Sequence, residues 1–454
     1  MPSHSGNYIN QDFKALLHQG NVYGVSRAHK AFQNVQGLEF QDGLIGDLGQ
    51  FYHDTFNSKL TLYLQNGSAS ANHIISLCLS GKNVLIQGNS HISVHSGLQL
   101  AGSKTFYIQP EYNSEFDIFL PINSQQIKDV IDTYPEIEAI YLTNPTIDGL
   151  CFNVQEVKNM IGEDRILIVD ESYGTHFIFS DQCPISSLNQ GADVCINRVD
   201  ASLGSMTGTA ILNISKQSKI DVTKLKQVYF MMGLSASVNP LMIADLEGCI
   251  KTFSQEGVQM IDNSIKNVHK LKSFIQQNAA KLQCLDFNYL LSDPTKLLIK
   301  VTGLQGKKLF KKLLNKKVLC ERVTQSSVLL NIHTQTTEND IDFLIDSLRD
   351  IISNISISQI QSNPEIQVSQ QSAQTQNQLF KSILNQRELV MDIRDCFAND
   401  QETIPILDAI GRVSAEIKFK NPECIPVLLQ GERIQENHVK LLKSSKEMIR
   451  VIVQ

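Results

Sequence analysis

The chain has 454 residues, 42% of them hydrophobic, enough to bury a large core and to build more than one lobe. Its net charge of -6 and scattered lysines and arginines leave no electrostatic footprint for nucleic acid or an anionic membrane. The one basic cluster, Lys307-Lys308 with Lys311-Lys312 and Lys316-Lys317, has helical spacing and reads as a solvated face.

In chain order, Met1 to Tyr8 lacks the basic and apolar pattern of a signal segment, and the first arginine is Arg27. No apolar run reaches the ~18–20 residues of a membrane span, so the expected location is the cytosol or an assembly bathed by it. After an amino-terminal segment (1–59), strand-length apolar runs alternate with helical patterns through residues 60–245. The candidate strands are Thr61–Gln65, Asn83–Gln87, Thr105–Gln109, Ala139–Thr143, Ile166–Asp170, Val194–Asn197 and Thr209–Asn213, with helices at Gln125–Thr133 and Val154–Ile161 among the intervening segments. That rhythm predicts an α/β domain with a mostly parallel, seven-stranded sheet covered on both faces. Polar residues at the carboxyl ends of such strands are where open α/β sheets place their sites.

A long helical region from Leu234 to Lys272 is expected to lead into a smaller α+β domain (246–354), with strands near Lys296–Val301 and Ser327–Ile332 and a helix over Glu338–Ile352. Residues 355–378, rich in Ser and Gln, read as a flexible linker, and 379–454 reads as a further folded α+β domain. The nine cysteines stand singly, without the close pairing of zinc sites or redox motifs, and read as reduced, mostly buried thiols. Gly303-Leu-Gln-Gly306-Lys307 lacks the spacing and hydroxyl residue of a phosphate loop. The serines and histidines form no nucleophile elbow.

Five motifs occur in a fixed order: Asn66-Gly-Ser-Ala-Ser-Ala-Asn72, His91, Asn144-Pro-Thr-Ile-Asp-Gly149, Asp170-Glu-Ser-Tyr-Gly-Thr-His176 and Arg198-Val-Asp-Ala-Ser-Leu203. This ordered set resembles the pyridoxal-phosphate (PLP) decarboxylases of ornithine, lysine and arginine. Glu402–Glu416 and Ile425–Glu432 are similar to the carboxyl-terminal domain of the shorter, wingless members, so the resemblance covers nearly the whole chain. It implies a PLP-dependent transferase-like (fold type I) architecture.

The resemblance also implies roles for particular positions. Asp170 falls where the family keeps a carboxylate against the pyridine nitrogen; read alone it is better explained as a strand-end helix cap, and the order of motifs around it favours the family role. His91 falls where an imidazole lies over the cofactor ring, without the basic residue often found ahead of it. Ser68 falls in the phosphate loop at a helix start, but the second hydroxyl of that loop is replaced by Ala69; a serine-capped helix is the alternative. The last motif aligns with Ser-Thr-His-Lys-Thr-Leu, so Arg198, Asp200 and Ala201 stand at the family's serine, histidine and Schiff-base lysine. An alanine methyl forms no imine, and a carboxylate ~4 Å from a phosphate charge costs on the order of 4 kcal/mol at an effective dielectric near 20. Arg27-Ala-His-Lys30 stands where the family has a Pro-Gly-His-Lys turn. Lys216, Lys219, Lys224 and Lys226 lie in a polar, lysine-rich setting that does not suit a Schiff-base amine.

The resulting expectation is a catalytically inactive pseudoenzyme, with no catalytic residue and no metal. It would act as a structural or regulatory subunit of a larger protein assembly, as a homodimer or with a related subunit. No cofactor is expected, and PLP would enter only noncovalently. The alternatives are a noncovalent PLP or anionic-metabolite binding protein, or a residual or altered lyase built around Asp200 and Arg198.

Overall fold

The computed structural model describes residues 51–232, 239–285, 291–353, 364–420, 425–442 and 447–453. Arg27–Lys30 and the rest of residues 1–50, together with Cys424, lie outside them.

All seven expected strands are present, as β1 (Ser58–Leu64), β2 (Asn83–Gln87), β3 (Lys104–Ile108), β4 (Ala139–Thr143), β5 (Ile166–Asp170), β6 (Val194–Arg198) and β7 (Ala210–Ser215). They form one sheet in the order β1-β7-β6-β5-β4-β2-β3. The pairs β2–β3, β2–β4, β4–β5 and β5–β6 are parallel, whereas β7 runs antiparallel to both β6 and β1. Strand residues such as Val84, Leu85, Ile140, Leu142, Ile168 and Val169 are completely buried. They divide between apolar cores on the two faces of the sheet, as sheets buried on both faces require.

Helices α1 (Gly67–Cys78) and α2 (Ile92–Ala101) follow β1 and β2, and α3 (Ser124–Thr133) and α4 (Val154–Ile161) match the expected helical patterns. Asn123 and Asn153 cap α3 and α4 by accepting main-chain N–H bonds. The one-turn helix α5 (Val199–Ser202) follows β6 directly, and α6 (Val222–Met232) precedes α7 (Pro240–Gln277). The long helical region is therefore present from Pro240 onward, with residues 234–238 outside the described ones.

The smaller domain has an antiparallel sheet of β8 (Leu282–Cys284), β9 (Lys296–Val301), β10 (Arg322–Val323) and β11 (Val328–Asn331), in the order β8-β9-β11-β10. Helices α8 (Gly306–Asn315) and α9 (Glu338–Ser353) and the end of α7 pack on it. It is tied to the large domain by pairing of Leu291-Ser292 with Leu150-Cys151, and by a buried ion pair between Arg322 and Asp148.

The linker expectation needs correction. Residues 364–378 form most of a helix, α10 (Pro364–Asn385), while 354–363 lie outside the described residues. Phe380, Ile383 and Leu384 anchor its last turns; Phe380 meets Phe119, and Leu384 sits so near Gly88 that a Cβ there would come within 2.1 Å of it. Tertiary burial of these few apolar residues outweighs the linker-like composition before them. The tail beyond α10 is folded around its own core of Ile406, Leu428, Ile434, Ile449 and Val451.

Cys78, Cys151, Cys183, Cys195, Cys249, Cys320 and Cys396 are free thiols. Burial raises their thiol pKa values, to about 12 for Cys78 and Cys320, which fits inert thiols. No described helix is long and apolar enough to cross a membrane, and no metal-ligating cluster occurs among the described residues.

Candidate active site

Asp170 ends β5 and is buried. Its Oδ1 accepts from the Ser172 amide at 3.1 Å and from the Ser172 hydroxyl, and Oδ2 accepts from Asn72 Nδ2 at 3.2 Å. Asn72 also donates to Ser93 Oγ at 2.8 Å and accepts from Tyr141 Oη at 2.7 Å. Burial raises the Tyr141 phenol well above its ordinary pKa, and the Asp170 charge adds to the rise, so the phenol stays a donor. Tyr141 had no sequence signal as a site residue. It reads simply as an apolar strand position, although its hydroxyl orients the amide that holds Asp170.

His91 is the N-cap of α2. Its Nδ1 accepts from the Ser93 amide at 3.2 Å and lies 2.8 Å from Ser93 Oγ. This leaves Nε2 as the N–H of the neutral ring. Although its side chain reaches solvent, the surrounding protein lowers its pKa; Asp170 opposes the shift and Arg198 adds to it. His91, Asp170 and Arg198 thus share one electrostatic environment.

At the other end, Gly67 opens α1 at φ +73° and donates its amide to the Gly208 carbonyl at 2.8 Å. Gly208 has φ +96°, and a Cβ there would lie 2.9 Å from the Gln65 carbonyl oxygen, so the two loops approach too closely for a side chain. Ser68 is half-buried in the first turn of α1. Asp200 accepts from the Gly208 amide at 3.4 Å and is clamped by Arg198, with Nε to Oδ1 at 3.1 Å and Nη2 to Oδ2 at 3.2 Å. The guanidinium pKa is raised because pairing with Asp200 outweighs the desolvation of Arg198. Arg198 and Asp200 therefore satisfy each other.

Ala201 lies in α5, one strand across from Asp170, since Asp170 is in register with Ile196 of β6. Ala201 lines an open pocket between the large and small domains. The other walls include Tyr173, His176, Lys296, Glu321 and His333.

The sequence from 25 to 292 matches the model of the Orn/Lys/Arg decarboxylase major domain. The chain belongs to the Orn/Lys/Arg decarboxylase family. It is 26% identical over 417 residues to an arginine decarboxylase of Bacillus subtilis, covering 89% of this chain and 82% of that one. Among solved structures, the Escherichia coli constitutive lysine decarboxylase superposes with a TM-score of 0.72 at 16% identity, over 93% of this chain and 74% of that one. The lysine decarboxylase LdcF of Francisella novicida gives 0.71 at 17% identity, over 91% and 72%. At these identities the two structures establish the fold: an α/β, fold type I architecture with a mainly parallel central sheet.

The family is PLP-dependent, and the residues present fit its cofactor unevenly. The buried carboxylate of Asp170 and the imidazole of His91 suit a pyridine ring. Alanine at 201 supplies no amine, and the Asp200 carboxylate stands beside the Gly67–Gly208 junction, where an anion would need donors.

Proposed function

We propose that this family member does not decarboxylate amino acids through a lysine-bound cofactor, and that its retained fold serves association as a structural or regulatory subunit. The observation that carries the reading is Ala201, placed directly after β6 beside an open pocket. The Arg198–Asp200 clamp supports it, because the change extends beyond a single missing amine. Exposed Phe230, Met231 and Met232 at the end of α6 form a run of apolar surface suited to a protein partner, such as a second copy or a related subunit. A cytosol-exposed assembly fits this reading.

A second reading, noncovalent binding of PLP, is favoured by the intact Asp170–Asn72–Tyr141 network, with Ser68 and His91 completing the ring and phosphate contacts. Release of CO2 from ornithine, lysine and arginine, measured with PLP present, tests both. The unmodified protein should release none. Ala201→Lys alone should also stay inactive, because Asp200 remains in the phosphate cradle. Turnover by the unmodified protein would overturn the proposal, and strong turnover by Ala201→Lys would show that the rest of the site is competent.

A further inference from the structure

The segment that carries His91 is held from both sides by the carboxyl-terminal region. Gly88 lies just before it, and a Cβ there would come within 2.1 Å of Leu384 Cδ1, so the last turn of α10 seats on a position that admits no side chain. The Gly88 amide is fixed by the Ile108 carbonyl at 2.9 Å. On the far side of His91, Gln99 of α2 donates its Nε2 to the Gln430 carbonyl at 2.8 Å. Between these contacts the backbone is tied to itself: the Ser90 amide meets the Gln87 carbonyl at 3.0 Å, and the Val94 amide meets the His91 carbonyl at 2.9 Å.

The same joint buries polar groups. His95, one turn before Gln99 on α2, stacks on Tyr107 of β3 with ring centres 5.8 Å apart, and the Arg387 guanidinium lies 5.3 Å from the centre of that ring. Arg387 is buried; it donates to the Pro426 and Val427 carbonyls at 3.3 and 3.4 Å and stands 3.6 Å from Glu432. Burial, and then the Arg387 charge, hold the His95 pKa well below its ordinary value, so the ring stays neutral. Gln99 Oε1 and Gln430 Nε2, one from each side of the joint, are buried without a partner. Such atoms cost free energy that water recovers when the joint opens. Docking is therefore weaker than its apolar contacts alone would make it.

We propose that the carboxyl-terminal region is a clamp that opens and closes on residues 88–99, and that its closure sets the position of His91. Leu384 bears on the start of the segment and Gln430 holds its end, so an open clamp releases the stretch on which His91 sits. The bonds from Tyr141 to Asn72 and from Asn72 to Asp170 join β4, α1 and β5 and do not pass through the joint. The clamp does not depend on whether this chain binds PLP.

The test is NMR titration of the full chain labelled at histidine, with the His91 signal assigned by its loss in His91→Gln. With the clamp closed, the surroundings hold His91 below its ordinary pKa of about 6.5. Asp170, Arg198, His73 and His95 are the ionisable groups that act on it, and a change at Leu384 alters none of them. Leu384→Ala should raise the His91 pKa toward the ordinary value as solvent enters, and should speed hydrogen exchange across residues 88–99 at least about tenfold. Leu348→Ala, an equal truncation in the core of the small domain, should change neither. If Leu384→Ala fails to fold, the smaller truncation Leu384→Val should move both quantities in the same directions. An unmoved His91 pKa or unmoved exchange in the folded Leu384 variant, or equal changes in Leu348→Ala, would overturn the proposal.

Discussion

Asp170 keeps its place because three other residues hold it there. Tyr141 donates to Asn72, Asn72 donates to Asp170, and Ser172 closes the other carboxylate oxygen. In Tyr141→Phe the buried Asn72 carbonyl oxygen loses its donor, which should cost about 1–3 kcal/mol, read as a lower urea midpoint with an unchanged slope. A fixed order of motifs carries the roles expected of Asp170 and His91 and the departures expected at Arg198, Asp200 and Ala201. The supporting roles of Tyr141 and Asn72 were not legible in the sequence. Their partners lie 69 and 98 residues away in the chain, and only the sheet brings them together. Glu321 likewise gave no signal, since nothing in its local sequence says that it will face His176 and Lys296 from another domain.

Among the elements, the seven strands were readable because apolar β-rich runs of strand length alternate with helical periods, a pattern that a parallel sheet with two covered faces imposes. Helix α10 was misread because its glutamines and serines resemble a linker, while among its described side chains those that dock it are Phe380, Ile383 and Leu384 near its end. The junction between domains rests on buried charge. Arg322 and Asp148 pair with almost no exposure, so Asp148→Asn, which removes one charge of this buried pair, should destabilise the protein by up to about 3–5 kcal/mol; differential scanning calorimetry checks this. Asp293 lies at the same junction. Burial alone would raise its pKa, but His176 and Lys296 outweigh burial and hold it below the ordinary aspartate value. A lowered folded pKa contributes stability above the unfolded value of about 4 and loses it as pH falls through the folded value. Asp293→Asn should therefore be less stable than the unmodified protein at pH 7, and the gap should close as the pH falls below about 4 in equilibrium unfolding curves.

For the whole molecule, the proposed reading gives selection on shape and loss of the covalent site separable signatures. The fold and its central sheet follow the family, whereas on this proposal alanine at position 201 and the Arg198–Asp200 clamp affect the reacting end alone. If the fold serves association, gentle isolation from the source cell should recover the chain in a larger species, and size analysis with crosslinking should place a partner against the Phe230–Met232 surface. The most direct test of the central claim is borohydride reduction of the purified protein after incubation with PLP, followed by intact-mass and peptide analysis. The account predicts no stoichiometric reduced adduct at any single lysine. A stoichiometric adduct mapping to one lysine, with the matching imine absorbance before reduction, would contradict it.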